Sequence, residues 1–361
     1  MTTIADFVDE LEEIAPPDLA ETDDRIGLQV GDHSHETRKV CVSVDTSPAV
    51  IDLAIQRKSD LLVAHHPLIY TPLTSLAEDD PVARRVTKLV RAQTALYVMH
   101  TNYDSAPGGI NDVLAARLDV LDCEPLTTLK ADPYVKLSVF VPEEAVEDVR
   151  NAMADAGAGM IGQYTHCSFR TPGVGSFVPM PAAHPHTGSI GKLEEVEEYR
   201  LEMICAASWA GEVIAAMLET HPYDEVAYDV YELANEPIRY GYGRVGTLDD
   251  RVSLADFAAK VKSVLGLDHV KVSGRNDKSI RRVALCGGGG SSLFREAAQA
   301  GADVYVTGDT KHHDLLDADA IGLAMIDAGH FDTEKPGMVA LAERLGRTFA
   351  GSGIEIEYIE P

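Results

Sequence analysis

Two stretches of the chain follow one pattern: KVCVSVDTSPAVIDLAIQRKSDLLVAHHP near the start and RRVALCGGGGSSLFREAAQAGADVYVTGDTKHHD near the end. Each reads as strand, turn, helix, strand and then a histidine pair. The apolar runs Val40 to Val44 and Leu61 to Ala64 are short and β-rich, whereas Ala49 to Lys58 and Leu293 to Ala300 carry helical spacing after a serine-containing turn. Both copies continue into a helix-like stretch and a further strand, ALYVMH and GLAMIDAGH, each ending on a histidine. Such alternation predicts an α/β fold of two related, packed halves, with mostly parallel sheets and helices on their faces.

Between the halves lies a second near-repeat, VKLSVFVPEEAVEDVRNAMADAGAG against YRLEMICAASWAGEVIAAMLETHPY. Val135, Leu137, Val139 and Val141 alternate, as do Tyr199, Leu201, Met203 and Cys205, so each copy opens with a half-buried strand and continues as a helix. Two such units in tandem predict an inserted α+β, ferredoxin-like module. The expected domains are residues 1–131, the insertion 132–236 and residues 237–361, with Asp132-Pro133 and Glu236-Pro237 at the joins. The Gly- and Pro-rich centre of the insertion, TPGVGSFVPMPAAHPHTGSIGK, reads as an extended loop or hairpin of a length that often carries function.

Composition limits the roles open to this fold. With 58 Asp and Glu against 31 Lys and Arg, the net charge of −27 repels nucleic-acid phosphates and anionic membranes. No apolar stretch approaches the roughly 18 to 20 residues of a membrane span, and the start, MTTIADFVDELEEI, is acidic where a secretory signal would be basic. The expectation is a soluble cytoplasmic protein that contacts neither membrane nor nucleic acid. Cys41, Cys123, Cys167, Cys205 and Cys286 are scattered without a CxxC pair, which predicts buried free thiols rather than a disulfide framework or a thiolate zinc site.

The chemistry concentrates at strand ends, where open α/β sheets bind their ligands. LLVAHHPLIY places His65 and His66 where a buried strand stops, and Pro67 prevents further pairing. Adjacent strand residues face opposite ways, so the two imidazoles share a site only if the backbone leaves strand geometry there. HTNYDSAPGGIND brings His100 and Asp104 to the same edge, and GHFDTEKPG brings His330 and Glu334. Pro336 suggests a helix starting only near Thr333, so strand-end loop geometry is expected for His330 and Glu334. Taken singly, these residues are a surface His pair, a turn-capping Asp and a first-turn Glu. Together, imidazoles and carboxylates suit divalent Zn, Mn, Fe or Co, and five of them suit two ions at roughly 3.5 to 4 Å separation rather than one.

LQVG near the start, AHHP, HTNYDSAPGGIND and GHFDTE, in this order and spacing, resemble the dinuclear-metal-centre proteins known as type 2 GTP cyclohydrolase I homologues, the Nif-three-like family. The resemblance covers nearly the whole chain. It implies His65, His66, Asp104, His330 and Glu334 as ligands of two divalent metal ions, and a ring-shaped homohexamer. HCSF (His166 to Phe169) and HPYDEVAYD (His221 to Asp229) are similar to the PII-like insertion of longer members. The family's Trp-Asp-Asn is replaced by Asp23-Asp24-Arg25 ahead of Ile26-Gly27-Leu28, and only Asp24 matches.

Asp45, His100, Thr101, Asn102, His312 and His313 are candidates to surround the ligands or touch substrate. The run Gly287 to Ser292 either cradles an anion or forms a plain turn with a serine helix cap, and it lacks the lysine of a P-loop. His33, His35, His184 and His186 read as exposed loop histidines. The leading expectation is a metal-dependent hydrolase or cyclohydrolase acting on a small, nucleotide-like molecule. The alternative is a non-enzymatic metal-binding regulatory, storage or chaperone-like assembly whose PII-like insert senses a ligand. An adaptor that binds other proteins is a third reading.

Overall fold

Lys39–Ser43, Leu61–Ala64 and Ala95–Val98 are apolar and flanked by helices, so they can hydrogen-bond side by side with both faces covered. A computed structural model describes residues 2–361. In it these strands run parallel, and Leu61–Ala64 and Ala95–Val98 are buried at every position. Gly27–Val30 adds antiparallel beside Ala95–Val98, and Glu355–Tyr358 adds parallel beside Lys39–Ser43. Phe7 and Leu11 of the helix Ile4–Ile14 share one core with Val40, Val42, Val63, and Met338 and Leu341 of the helix His330–Thr348. The other face packs on the helices Pro48–Gln56 and Pro81–Ala92 through Ile51, Val86 and Leu89.

The second sheet repeats the parallel triplet as Ser279–Leu285, Val304–Thr307 and Ala324–Asp327. Its three additional strands, Lys271–Ser273, Arg244–Ser253 and Leu121–Pro125, all pair antiparallel. The expectation of mostly parallel sheets therefore holds for the first sheet, whereas the second is mixed. Chain connectivity supplies the reason: the helix Leu254–Leu265 carries the chain from Arg244–Ser253 across the sheet to Lys271–Ser273 at its edge, and the turn at 274–278 then reverses direction into Ser279–Leu285. Each triplet also takes a strand from the far end of the sequence. Leu121–Pro125 follows the first triplet and joins the second sheet, while Glu355–Tyr358 follows the second triplet and joins the first. Residues up to Lys130 and those from Tyr240 to Pro361 accordingly form one compact unit.

Ala131–Arg239 form the other unit. Its strands lie in the order Tyr228–Glu232, Tyr134–Pro142, Glu194–Ala206, Ser168–Phe177 and are antiparallel throughout. With the helices Val146–Asp155 and Ala210–Thr220 this makes a split βαβ arrangement. Val135, Leu137, Val139, Leu201 and Met203 pack against Val149, Met153, Val213 and Met217, so one sheet face is apolar and covered. Of the segment expected as loop or hairpin, residues 171–177 belong to the strand Ser168–Phe177.

All five cysteines are free, but only Cys41, Cys205 and Cys286 are buried; Cys123 is exposed and Cys167 half-buried. No helix among the described residues is long and apolar enough to cross a membrane.

Candidate metal centre

His65 and His66 leave the strand Leu61–Ala64 by a break in the ladder. Successive backbone N–H groups bond the same neighbouring strand end: His65 donates to Ser43 O at 3.2 Å and Val44 O at 3.1 Å, and His66 to Val44 O at 2.8 Å. That geometry abandons the pleat and turns both rings to one side, as the sharing of a site requires. His65 is fully buried, and its Nδ1 lies 2.8 Å from Met99 O, which leaves Nε2 directed into the cluster.

Asp104 arrives on the one-turn helix Thr101–Ser105, which directly follows the strand Ala95–Val98. His330 and Glu334 come from the helix His330–Thr348, and the expected start near Thr333 is corrected: helical geometry begins at His330 and continues through Pro336. Gly329 enters at φ 84, and the Thr333 hydroxyl donates to Gly329 O and His330 O at 2.8 Å, so the first turn is fixed locally. Proline removes a single intrahelical hydrogen bond, which a well-packed helix tolerates. His330 and Glu334 thus sit four apart on one helical face, Nε2 to Oε1 at 3.0 Å.

The five side chains converge. His66 Nε2 lies 3.1 Å from Glu334 Oε2 and 3.2 Å from His330 Nε2. His65 Nε2 lies 3.5 Å from Glu334 Oε1 and 3.7 Å from Asp104 Oδ1. His65 Nε2, Asp104 Oδ1 and Glu334 Oε2 are all buried without a hydrogen-bond partner. The 3.1 Å approach of His66 to Glu334 Oε2 is a charge contact that lacks hydrogen-bond alignment. Donor atoms around an ion with bonds of about 2.0–2.2 Å are separated by roughly 3–3.6 Å, so the spacing and the orphaned atoms fit a divalent cation.

Electrostatics agree. Burial raises the Asp104 pKa despite nearby His65. Burial also opposes ionisation of Glu334, yet His65, His330 and His66 hold its carboxyl far below the carboxylate range. His65 is disfavoured as a cation by burial, but Asp104 and Glu334 outweigh that and lift it to about 9. Hydrogen bonding to Glu334 lifts His330 to about 9 as well.

A profile of the Duf34/NIF3 (NGG1p interacting factor 3) family matches residues 2–361. The chain belongs to the Duf34/NIF3 family. It is 43% identical over 320 residues to the GTP cyclohydrolase 1 type 2 homolog of Bacillus subtilis, covering 89% of this chain and 86% of that one. The homolog of the same name from Listeria innocua is 39% identical over 321 residues, with coverages of 89% and 86%. The crystal structure of a Bacillus cereus protein related to NIF3 superposes with a TM-score of 0.89 at 38% identity, covering 100% of this chain and 97% of that one.

The remaining candidates of this NIF3-family chain divide. His100 reaches the cluster: it can offer a nitrogen within 4.8 Å of those of His65 and His66. Asp24 holds it, accepting from Nδ1 at 2.9 Å while also taking the Thr101 N–H at 3.1 Å and the Thr101 hydroxyl at 2.5 Å. Thr101 therefore acts on the loop of Asp24. Asn102 is buried, donating to Ala15 O and accepting the His100 N–H, and serves the backbone. Asp45 accepts from Ser47 N at 2.7 Å ahead of a helix. His312 and His313 are exposed at the start of the helix His312–Ala320, and neither belongs to the groups of converging ligand atoms. His33, His184 and His186 are exposed and His35 is half-buried.

Sequence reasoning missed Asp309 and the purpose of the glycine run. Asp309, at φ 54, places Oδ2 2.7 Å from His330 Nδ1. The signal was there in GDT, directly after the strand Val304–Thr307 of the repeat. In the run Gly287 to Ser292, the Gly287 and Gly288 N–H groups are already taken by Asn111 Oδ1 and Thr333 Oγ1, which leaves neither for a phosphate. A Cβ on Gly288 would stand 2.2 Å from Glu334 Oε1 and 3.2 Å from His330 Nε2. The glycine is required by the close approach of Glu334 and His330.

Proposed function

We propose that this chain holds two divalent ions, drawn from Zn, Mn, Fe or Co, among His65, His66, Asp104, His330 and Glu334, and hydrolyses a small, nucleotide-like substrate. The observation that carries this reading is the convergence of two carboxylates and three imidazoles, with buried, orphaned ligand atoms, at the ends of strands. The names of the relatives, GTP cyclohydrolase 1 type 2 homolog, favour a purine nucleotide among candidate substrates.

Ions bound there would lower the pKa of water and polarise an electrophile beside it. The chain's own part is orientation. Met99 O fixes the His65 ring and Asp309 the His330 ring, so each presents Nε2 to the cluster. His100, bonded through Nδ1 to Asp24, keeps Nε2 free and stands one ring away from His65, with centroids 5.2 Å apart, placed to hold or pass a proton. We read the unit Ala131–Arg239 as PII-like and the assembly as a homohexamer.

Metal-reconstituted protein is expected to carry about two ions per chain by elemental analysis, and His65→Ala with Glu334→Gln to carry none. It is expected to turn over GTP or a related nucleotide, with His100→Gln slowing turnover about 100-fold. A protein that binds its ions but turns over no member of a broad nucleotide and phosphoester panel overturns the hydrolase reading; one that binds no ion overturns the site.

A further inference from the structure

The unit Ala131–Arg239 contains a cavity of about 390 Å³ that none of the foregoing uses. It lies on the face of the antiparallel sheet turned away from the helices. On that face Phe140 and Arg200 are cross-strand partners, with Glu198 two residues along. Residues from 177 to 187 and from 223 to 227 wall it, and Asp224 ties these two segments by accepting the His184 N–H at 2.8 Å. The volume falls within the range of sites for small molecules.

Its chemistry is specific. The walls include Phe140, Phe177, Pro179, Pro185 and Tyr223, so most of the surface offered to an occupant is aromatic or aliphatic. The acidic groups in the lining are Glu198, Asp224 and Glu225, with no lysine or arginine among them, and His186 also lines it, its ring centroid 5.8 Å from that of Tyr223. Among the described residues Glu198 has no ion-pair partner within 4 Å. Arg200, on the same sheet face, is already engaged by Glu202 at 2.9 Å and by the Ser138 hydroxyl at 2.9 Å. The Glu198 carboxylate lies across the neighbouring strand where Gly175 makes room, since a Cβ there would stand 2.2 Å from Oε2. Beside it the Tyr223 hydroxyl is buried without an aligned hydrogen bond, and burial, then the neighbouring Glu198 carboxylate, raise its pKa. Buried polar atoms of this kind call for an explanation, and a ligand donor is one.

We propose that this cavity binds a small organic cation, a primary ammonium group carried on an aromatic or aliphatic body. The ammonium donates to Glu198 and to the Tyr223 oxygen, and the rings of Phe140 and Tyr223 supply cation–π and apolar contact. An anion is rejected by the three carboxylates, and a neutral alcohol leaves Glu198 without a countercharge. The inference concerns a unit separate from the metal centre and does not rest on the hydrolase reading.

Calorimetric titration of the full chain with phenethylammonium tests it, run in EDTA so that the metal centre stays out of the readout. The expected result is saturable binding at millimolar concentration or tighter, with phenethyl alcohol and hydrocinnamate each weaker by about tenfold or more. Glu198→Gln is expected to weaken binding at least about tenfold and Tyr223→Phe about threefold, with melting curves like those of the parent. Equal affinity for the alcohol or the anion overturns the proposal, as do unchanged binding by a folded Glu198→Gln protein and absence of binding to the parent chain.

Discussion

Gly288 is the residue whose replacement says most about the cluster. Its φ of 67 disfavours any side chain, and a methyl group would press on Glu334 Oε1. Gly288→Ala is expected to cost about 1–3 kcal/mol in urea unfolding and to reduce bound metal. Asp309→Asn keeps the side-chain volume but weakens the hold on the His330 ring, so metal affinity in chelator competition is expected to fall about 10- to 100-fold. A pH dependence follows from the two imidazoles. His65 and His330, both raised from 6.5 to about 9, stabilise the metal-free fold fully below 6.5, and that stability is lost as pH rises through 9. Glu334, lowered from 4.5, contributes above that value and loses its contribution only in stronger acid. Melting temperatures in EDTA are therefore expected to fall from about pH 6.5 to 9, whereas stabilisation by added metal grows over the same window because ions need deprotonated imidazoles. Parallel slopes with and without metal would contradict this.

At the scale of elements, the strand triplets of the two sheets were legible because βαβ units announce themselves through periodicity and short apolar runs. The exchange of Leu121–Pro125 and Glu355–Tyr358 was not. The first is exposed at four of its five positions and the second is polar at alternate residues, so neither carries a mark of which sheet edge it will cover. The helix start at His330 was misplaced because a proline was weighed by local rule, whereas Gly329 and Thr333 decide the turn. Arg244 shows what such elements need in order to meet. It is buried where Arg244–Ser253 begins, with Nε 2.5 Å from Asp112 Oδ1 and its other nitrogens on the carbonyls of Gly241, Gly243 and Ala106. Arg244→Met strands the carbonyls and Asp112 together, and urea unfolding is expected to register a loss of about 3–5 kcal/mol.

Across the whole molecule, the five candidate metal-binding residues follow strands of both triplets of one unit, to which Ala131–Arg239 do not belong. Calorimetry is expected to resolve two transitions, and an ion at a thousandfold excess over its dissociation constant should stabilise only the larger unit, by about 4 kcal/mol per ion. A metal-induced shift of both transitions by the same amount would show that they unfold together. The sequence by itself determined the repeat and the types of the five clustered residues, because periodicity and donor chemistry are local properties. Only the tertiary structure decided that His100 joins the cluster, that Asp24 and Asp309 orient imidazoles 76 and 21 residues away in sequence, and that a glycine run makes room for a carboxylate. Those facts are distances between segments far apart in the chain, and no local pattern encodes a distance until the sheets have packed.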